Sequence, residues 1–150
     1  MTADLPRMHE EVTKNRLSSM KQFELMRVLI IDGDRITAGY TARAFGRLGI
    51  SCEIAENVRL ALQMIRDAGD RGAGYDLCLL SCNMDQEQIS SAVSQIRECD
   101  RADRITVACL SRRGSSLRGA VQDSGGDIYM ERPLLQSKLY RMMKDISRKK

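Results

Sequence analysis

Five polar side chains close apolar runs in this 150-residue chain, and they are the ones placed to do chemistry. Asp32 and Asp34 follow RVLII, Ser81 follows DLCLL, Ser111 follows ITVACL, and Arg132-Pro133 follows DIYME. Paired carboxylates can hold a hard cation through oxygen. A guanidinium is always charged and suits bidentate contacts with carboxylate or phosphate. A serine hydroxyl is not ionised near neutral pH, and without an activating base it is no nucleophile. The one histidine, His9, is far from both serines in sequence. This set can recognise charge, and it lacks the parts of a covalent catalyst.

The elements that must position these residues can be read from periodicity. Short apolar runs predict strands at RVLII (27–31), SCEIA (51–55), DLCLLS (76–81), ITVACL (105–110) and Asp127 to Met130. The third run is almost continuously apolar, as a strand covered on both faces should be. Between them, helical spacing joins Ile36, Tyr40, Ala44, Phe45 and Leu48, with Gly49 as the stop. A second helix carries Val58, Leu60, Ala61, Leu62, Met64 and Ile65 and ends at GDRGAG. A third surrounds Ile89, Val93 and Ile96, a short fourth runs from Leu117 to Val121, and the last begins at Leu134. Five alternations of strand and helix predict parallel βαβ units with right-handed crossovers, a three-layer α/β sandwich. In such sheets functional groups gather at the C-terminal ends of the strands, which is where the polar residues fall.

VLIIDGD before a helix, then YDLCLLS, ITVACLS and GGDIYMERPL, in that order and spacing, resembles the receiver domain of two-component response regulators. The resemblance covers residues 27 to about 147. It implies a flavodoxin-like, five-stranded parallel sheet in the order 2-1-3-4-5. It also divides the chain into an N-terminal extension or linker, 1–26, and a receiver-like domain, 27–150. In that family an acidic pair after strand one holds Mg²⁺, and an aspartate ending strand three accepts phosphate. A Thr or Ser after strand four senses the phosphoryl group, an aromatic on strand five turns with it, and a lysine before proline neutralises it.

Position by position, this chain departs from that pattern. Asp32 matches the first acid, Gly33 replaces the second, and Asp34 lies one residue on. Ser81 stands where the phosphate-accepting aspartate is expected. Ser111 matches the hydroxyl, Tyr129 the aromatic switch, and Arg132-Pro133 the lysine-proline pair. Asp85, after Met84, lies several residues beyond the strand edge and is a poor substitute acceptor. The resemblance thus implies a pseudo-receiver with a degenerate phosphorylation site at Asp32, Asp34, Ser81, Ser111 and Arg132. No cofactor is expected, and Mg²⁺ at Asp32 and Asp34 would be weak at most. Arg132 could pair internally with Asp32 or Asp34. The implied action is protein-protein interaction with a histidine kinase, a phosphotransfer protein or a downstream effector, on an interaction face that includes Tyr129 and Pro133. An alternative is a receptor for a small anionic ligand such as cyclic di-GMP, bound by Arg112, Arg113, Tyr129 and Arg132.

Composition narrows the classes further. With 43% hydrophobic and 29% charged residues the profile is that of an ordinary globular domain. No apolar run approaches the roughly 20 residues that span a bilayer, and the N-terminus shows no apolar signal core, so a cytoplasmic protein without a membrane partner is expected. The net charge of +4 is gathered at Arg112, Arg113 and Arg118 and at Arg141, Lys144, Arg148, Lys149 and Lys150. With six aromatics and no Trp, those clusters lack the stacking side chains of a nucleic-acid surface. The five cysteines, Cys52, Cys78, Cys82, Cys99 and Cys109, form no C-x-x-C. Cys78 and Cys109 lie in apolar runs and read as small hydrophobes, while Cys82, in a loop, is the candidate for redox reactivity. GDRGAG lacks the lysine of a phosphate-binding loop, and an enzyme is the class least supported.

Overall fold

Each predicted strand forms, and the three central ones do so because runs of four to six largely apolar residues can be buried on both faces only inside a sheet covered by helices on either side. The computed structural model describes residues 23, 25–81, 85–112, 114 and 117–149. Its strands are β1 (Val28–Ile31), β2 (Cys52–Ala55), β3 (Leu77–Ser81), β4 (Thr106–Ser111) and β5 (Ile128–Glu131). They make one five-stranded sheet in the order β2-β1-β3-β4-β5, every neighbouring pair parallel. The helices are α1 (Arg35–Gly46), α2 (Val58–Asp70), α3 (Gln86–Cys99), α4 (Arg118–Asp123) and α5 (Gln136–Arg148).

Alternation along the strands sends two sets of side chains to two cores. Val28, Ile30, Leu77, Leu79, Ala108 and Leu110 pack against Phe45 of α1 and Leu139 and Met143 of α5. Leu29, Ile31, Cys78, Leu80, Val107 and Cys109 pack against α2, α3 and α4 through Ile65, Ile96 and Val121. Cys78 and Cys109 are fully buried, as their apolar surroundings in the sequence suggested. Caps start the helices that carry the site. Asn57 accepts from Leu60 N at the head of α2, and Asp85 forms a reciprocal capping box with Gln88 at the head of α3.

Several expectations are corrected. Ile36 and Tyr40, expected on the inner stripe of the first helix, are 72% and 66% exposed. Phe45 and Leu48 are buried as expected, but the other inward positions are Ala38 and Thr41; Phe45 packs against β1 and Ala38 permits close approach. The last helix starts at Gln136 and not Leu134, and Leu135 before it is half-exposed. The second helix does end in GDRGAG, whose first two residues complete it. The fourth helix runs from Arg118 to Asp123, past Val121, and Ser111 closes β4 from within the strand.

The packed body also takes in residues from the N-terminal stretch. Phe23 is fully buried and Met26 nearly so, with the Phe23 ring edge-on to Tyr140 at 5.9 Å. Leu25 is exposed, and residues 1–22 and 24 of the extension, with the sequence candidates Cys82, Met84 and Arg113, lie outside the described residues. No helix among the described residues is long and apolar enough to cross a membrane.

Candidate functional site at the strand ends

The parallel register brings the ends of β1, β3, β4 and β5 to one edge of the sheet. Asp32 follows β1 and is held by its amide, which donates to Ala55 O at 3.0 Å. Its carboxylate is almost wholly buried at 8% exposure. Oδ1 accepts from Asp34 N at 2.9 Å, while Oδ2 is buried with no hydrogen-bond partner among the described residues. Asp34 faces outward and caps α1, accepting from Ile36 N at 3.0 Å and Thr37 N at 3.3 Å. The bond from the Thr37 amide, then those from the Thr37 side chain and the Ile36 amide, hold its carboxyl below the usual aspartate range. The charge of Arg132 adds to this at longer range.

Ser81 ends β3 and Ser111 ends β4; they are 8% and 2% exposed. The Arg132 guanidinium donates from Nη2 to Ser81 Oγ across 51 positions of sequence. Arg132 is itself fixed by its amide, which continues the β4–β5 ladder to Ser111 O at 2.8 Å, and its bond to Pro133 is cis. The expected ion pair between Arg132 and Asp32 or Asp34 is not among the ion pairs of the described residues. Geometry explains this: strands lie about 4.8 Å apart, so from β5 an arginine crosses β4 to reach β3, whereas β1 is one strand further.

Tyr129 lies on β5 with 9% exposure, facing α4. The guanidinium of Arg118 covers its ring at 4.7 Å, and its hydroxyl donates to Glu131 Oε1 at 3.5 Å. Glu131 Oε2 accepts from Gly114 N at 3.3 Å and so ties the β4–α4 loop to β5. Arg112 and Pro133 are exposed at the same edge. The structure therefore brings Ser81, Ser111 and Arg132 together, joins Asp32 to Asp34, and leaves Arg112 apart. Sequence reasoning missed Arg118 and Glu131. Arg118 opens the short α4, and Glu131 stands two residues after Tyr129 on the strand, but neither spacing reveals the contact.

No family model and no curated protein matches this sequence, but solved structures do. A two-component system response regulator/GGDEF domain protein superposes with TM-score 0.72 at 17% identity, over 87% of this chain and 52% of that one. The chain thus spans about half the length of that protein. A two-component response regulator from Clostridium difficile gives TM-score 0.64 at 25% identity, over 82% of this chain and 96% of that one. The receiver domain of a sensor histidine kinase from Pseudomonas aeruginosa, with magnesium coordinated in its active-site cleft, gives 0.68 at 16% identity, over 81% and 97%. The fold is that of the response-regulator receiver domain.

Proposed function

We propose that this chain is a pseudo-receiver of two-component or phosphorelay signalling, which does not take phosphate at Ser81 and acts by protein-protein interaction. The observation that carries the reading is the Arg132–Ser81 contact at the ends of β5 and β3. An un-ionised hydroxyl stands at the position where the family places its nucleophilic carboxylate, and a guanidinium already occupies its oxygen. Among the described residues no side chain that could act as its base is bonded to it.

Magnesium fits this donor set poorly. One carboxylate, Asp32, is buried with a free oxygen; the other, Asp34, is turned outward to cap α1. The cation of Arg132 lies beside the third position, and a divalent ion would be repelled there. Among the described residues no three His, Cys, Asp or Glu side chains gather where a metal could be held. A Mg²⁺-dependent reaction is not part of this reading, and the chain is a binding module rather than an enzyme.

The partner in this reading is a histidine kinase, a phosphotransfer protein or an effector in the cytoplasm, docking on the face made by α4, β5 and α5. Exposed Arg112, Pro133 and Leu135 border that face. The alternative, an anionic ligand such as cyclic di-GMP at Arg112, Tyr129 and Arg132, draws less support. Its stacking ring would be Tyr129, which Arg118 already covers, and its central cation would be Arg132, which Ser81 engages.

An amide NMR titration with Mg²⁺ and beryllofluoride tests the reading. Amides next to Asp32, Ser81 and Ser111 should stay in place; a saturable, Mg²⁺-dependent movement of those amides would overturn it.

A further inference from the structure

A second concave site is at the opposite edge of the sheet, where β3 and β4 begin. It is a cleft of about 480 Å³ between the end of α2 and the end of α3, within the range of small-molecule sites. Its apolar floor is Ile65, Tyr75 and Ile105, all buried. The Tyr75 ring is held by Arg27 at 4.9 Å and by its hydroxyl, which donates to Glu53.

The polar groups around this floor divide into two kinds. Asp76 and Asp100 are committed to backbone amides: Asp76 accepts from Arg27 N at 2.8 Å, and Asp100 from Arg104 N at 3.1 Å and Ile105 N at 2.9 Å. Arg104 also lines the cleft and is engaged, whereas four other side chains, all exposed, make no hydrogen bond or ion pair among the described residues: Arg66 and Asp70 on the α2 wall, Glu98 and Arg101 on the α3 wall. Arg66 and Asp70 stand one helical turn apart in α2, a spacing that normally lets opposite charges meet, yet that pair does not close; Arg101 lies past the end of α3 and is not held to such a spacing with Glu98. Each wall thus offers one open guanidinium and one open carboxylate. The C-terminal ends of two helices add partial negative charge to the cleft.

Glycines keep the α2 wall bare. Gly72 has φ +71°, the left-handed conformation that ends the helix, and the fold itself accounts for it. Gly69 has no such reason: it lies inside α2, and a Cβ built there meets nothing within 4 Å. Alanine would favour the helix by about 1 kcal/mol. Gly69 lines the cleft, and a side chain there would project into its open space.

We propose that this cleft binds a small zwitterion with an apolar body, of which a free apolar or aromatic amino acid is the simplest case. Its ammonium meets Asp70, Glu98 and the helix-end carbonyls, its carboxylate meets Arg66 and Arg101, and its side chain lies on Ile65, Tyr75 and Ile105. An anion alone would face the carboxylates and helix ends, and a cation alone would leave both guanidiniums unmet.

The test is amide NMR on the full labelled chain with L-phenylalanine and L-leucine as probes, and with phenylacetate and phenethylamine as the single-charge halves of phenylalanine. At least one amino acid should shift amides of 65–76 and 98–105 saturably, with both halves weaker by about ten-fold or more. Gly69→Leu should fill the cleft and weaken that binding by about ten-fold or more while melting no lower than the parent, so that lost binding is not lost folding. The proposal falls if neither amino acid moves those amides, if either half binds as tightly as the intact probe, or if Gly69→Leu binds unchanged.

Discussion

Arg132, one residue past β5, places its guanidinium on the hydroxyl of Ser81, the last residue of β3, and bypasses the buried carboxylate of Asp32. A charged donor therefore sits on a neutral acceptor, while one oxygen of a carboxylate close by lacks a donor among the described residues. The first two predictions follow from this mismatch.

Ser81→Ala and Arg132→Met should each destabilise the fold, Arg132→Met the more, because it strands a buried hydroxyl. A hydrogen bond to a charged group is worth about 1.5–3 kcal/mol, and partial exposure of Arg132 puts the loss at the low end. Urea denaturation of both single variants and the double variant should give a coupling of about 1 kcal/mol. Additive losses would mean that the contact carries no energy.

Asp32→Asn should be neutral or stabilising at pH 7. The substitution keeps an oxygen for Asp34 N and removes a buried charge whose second oxygen has no donor. Relief of an unsatisfied buried group is worth about 1–3 kcal/mol. A clear drop in the urea midpoint would show that Oδ2 has a partner in solution.

Asp34 makes stability depend on acid in a defined direction. Its folded carboxyl is held low, chiefly by the Thr37 amide, so its stabilisation is complete above the ordinary aspartate range and is lost as pH falls through that range and then through the lower folded value. Asp34→Ala should therefore unfold at lower temperature than the parent at pH 7. The gap should narrow steadily in melting curves taken toward pH 3. A gap that is constant with pH would assign the loss to something other than the charged cap.

Much of this fold was legible because each strand is a short apolar run and each polar strand end follows it directly, as at Ile31-Asp32 and Leu80-Ser81. Which stripe of α1 faces the sheet was not. Ile36 and Tyr40 continue the helical stripe of Phe45 and Leu48 as well as Ala38 and Thr41 do, and only packing against β1 chooses between them. The site shows the same division. Its members could be collected from the strand ends, but their pairing could not. Charge alone matches Arg132 to Asp32 or Asp34, whereas strand order puts β3 nearer to β5 than β1 is. Arg118 over Tyr129 escaped because a cation-π contact between a helix start and a strand leaves no spacing signal.

Burial raises the thiols of Cys52 and Cys78 to about 12. Neither should be alkylated by iodoacetamide at pH 8 while the protein is folded, and both should react in urea. Peptide mass mapping distinguishes the sites. Labelling of Cys78 in the folded protein would mean that the α2–α3 side of the sheet opens.

The central claim is that Ser81 accepts no phosphate. Its most direct test is the intact mass of the full chain after incubation with a small phosphodonor and Mg²⁺, at a pH and time that fully phosphorylate a conventional receiver. The account predicts an unchanged mass, for the parent and for Arg132→Met alike, since removing the guanidinium does not ionise the hydroxyl. Gain of one phosphate, at Ser81 or at Asp32, Asp34 or Asp85, would contradict it and make this chain a phosphorylated receiver with a relocated acceptor.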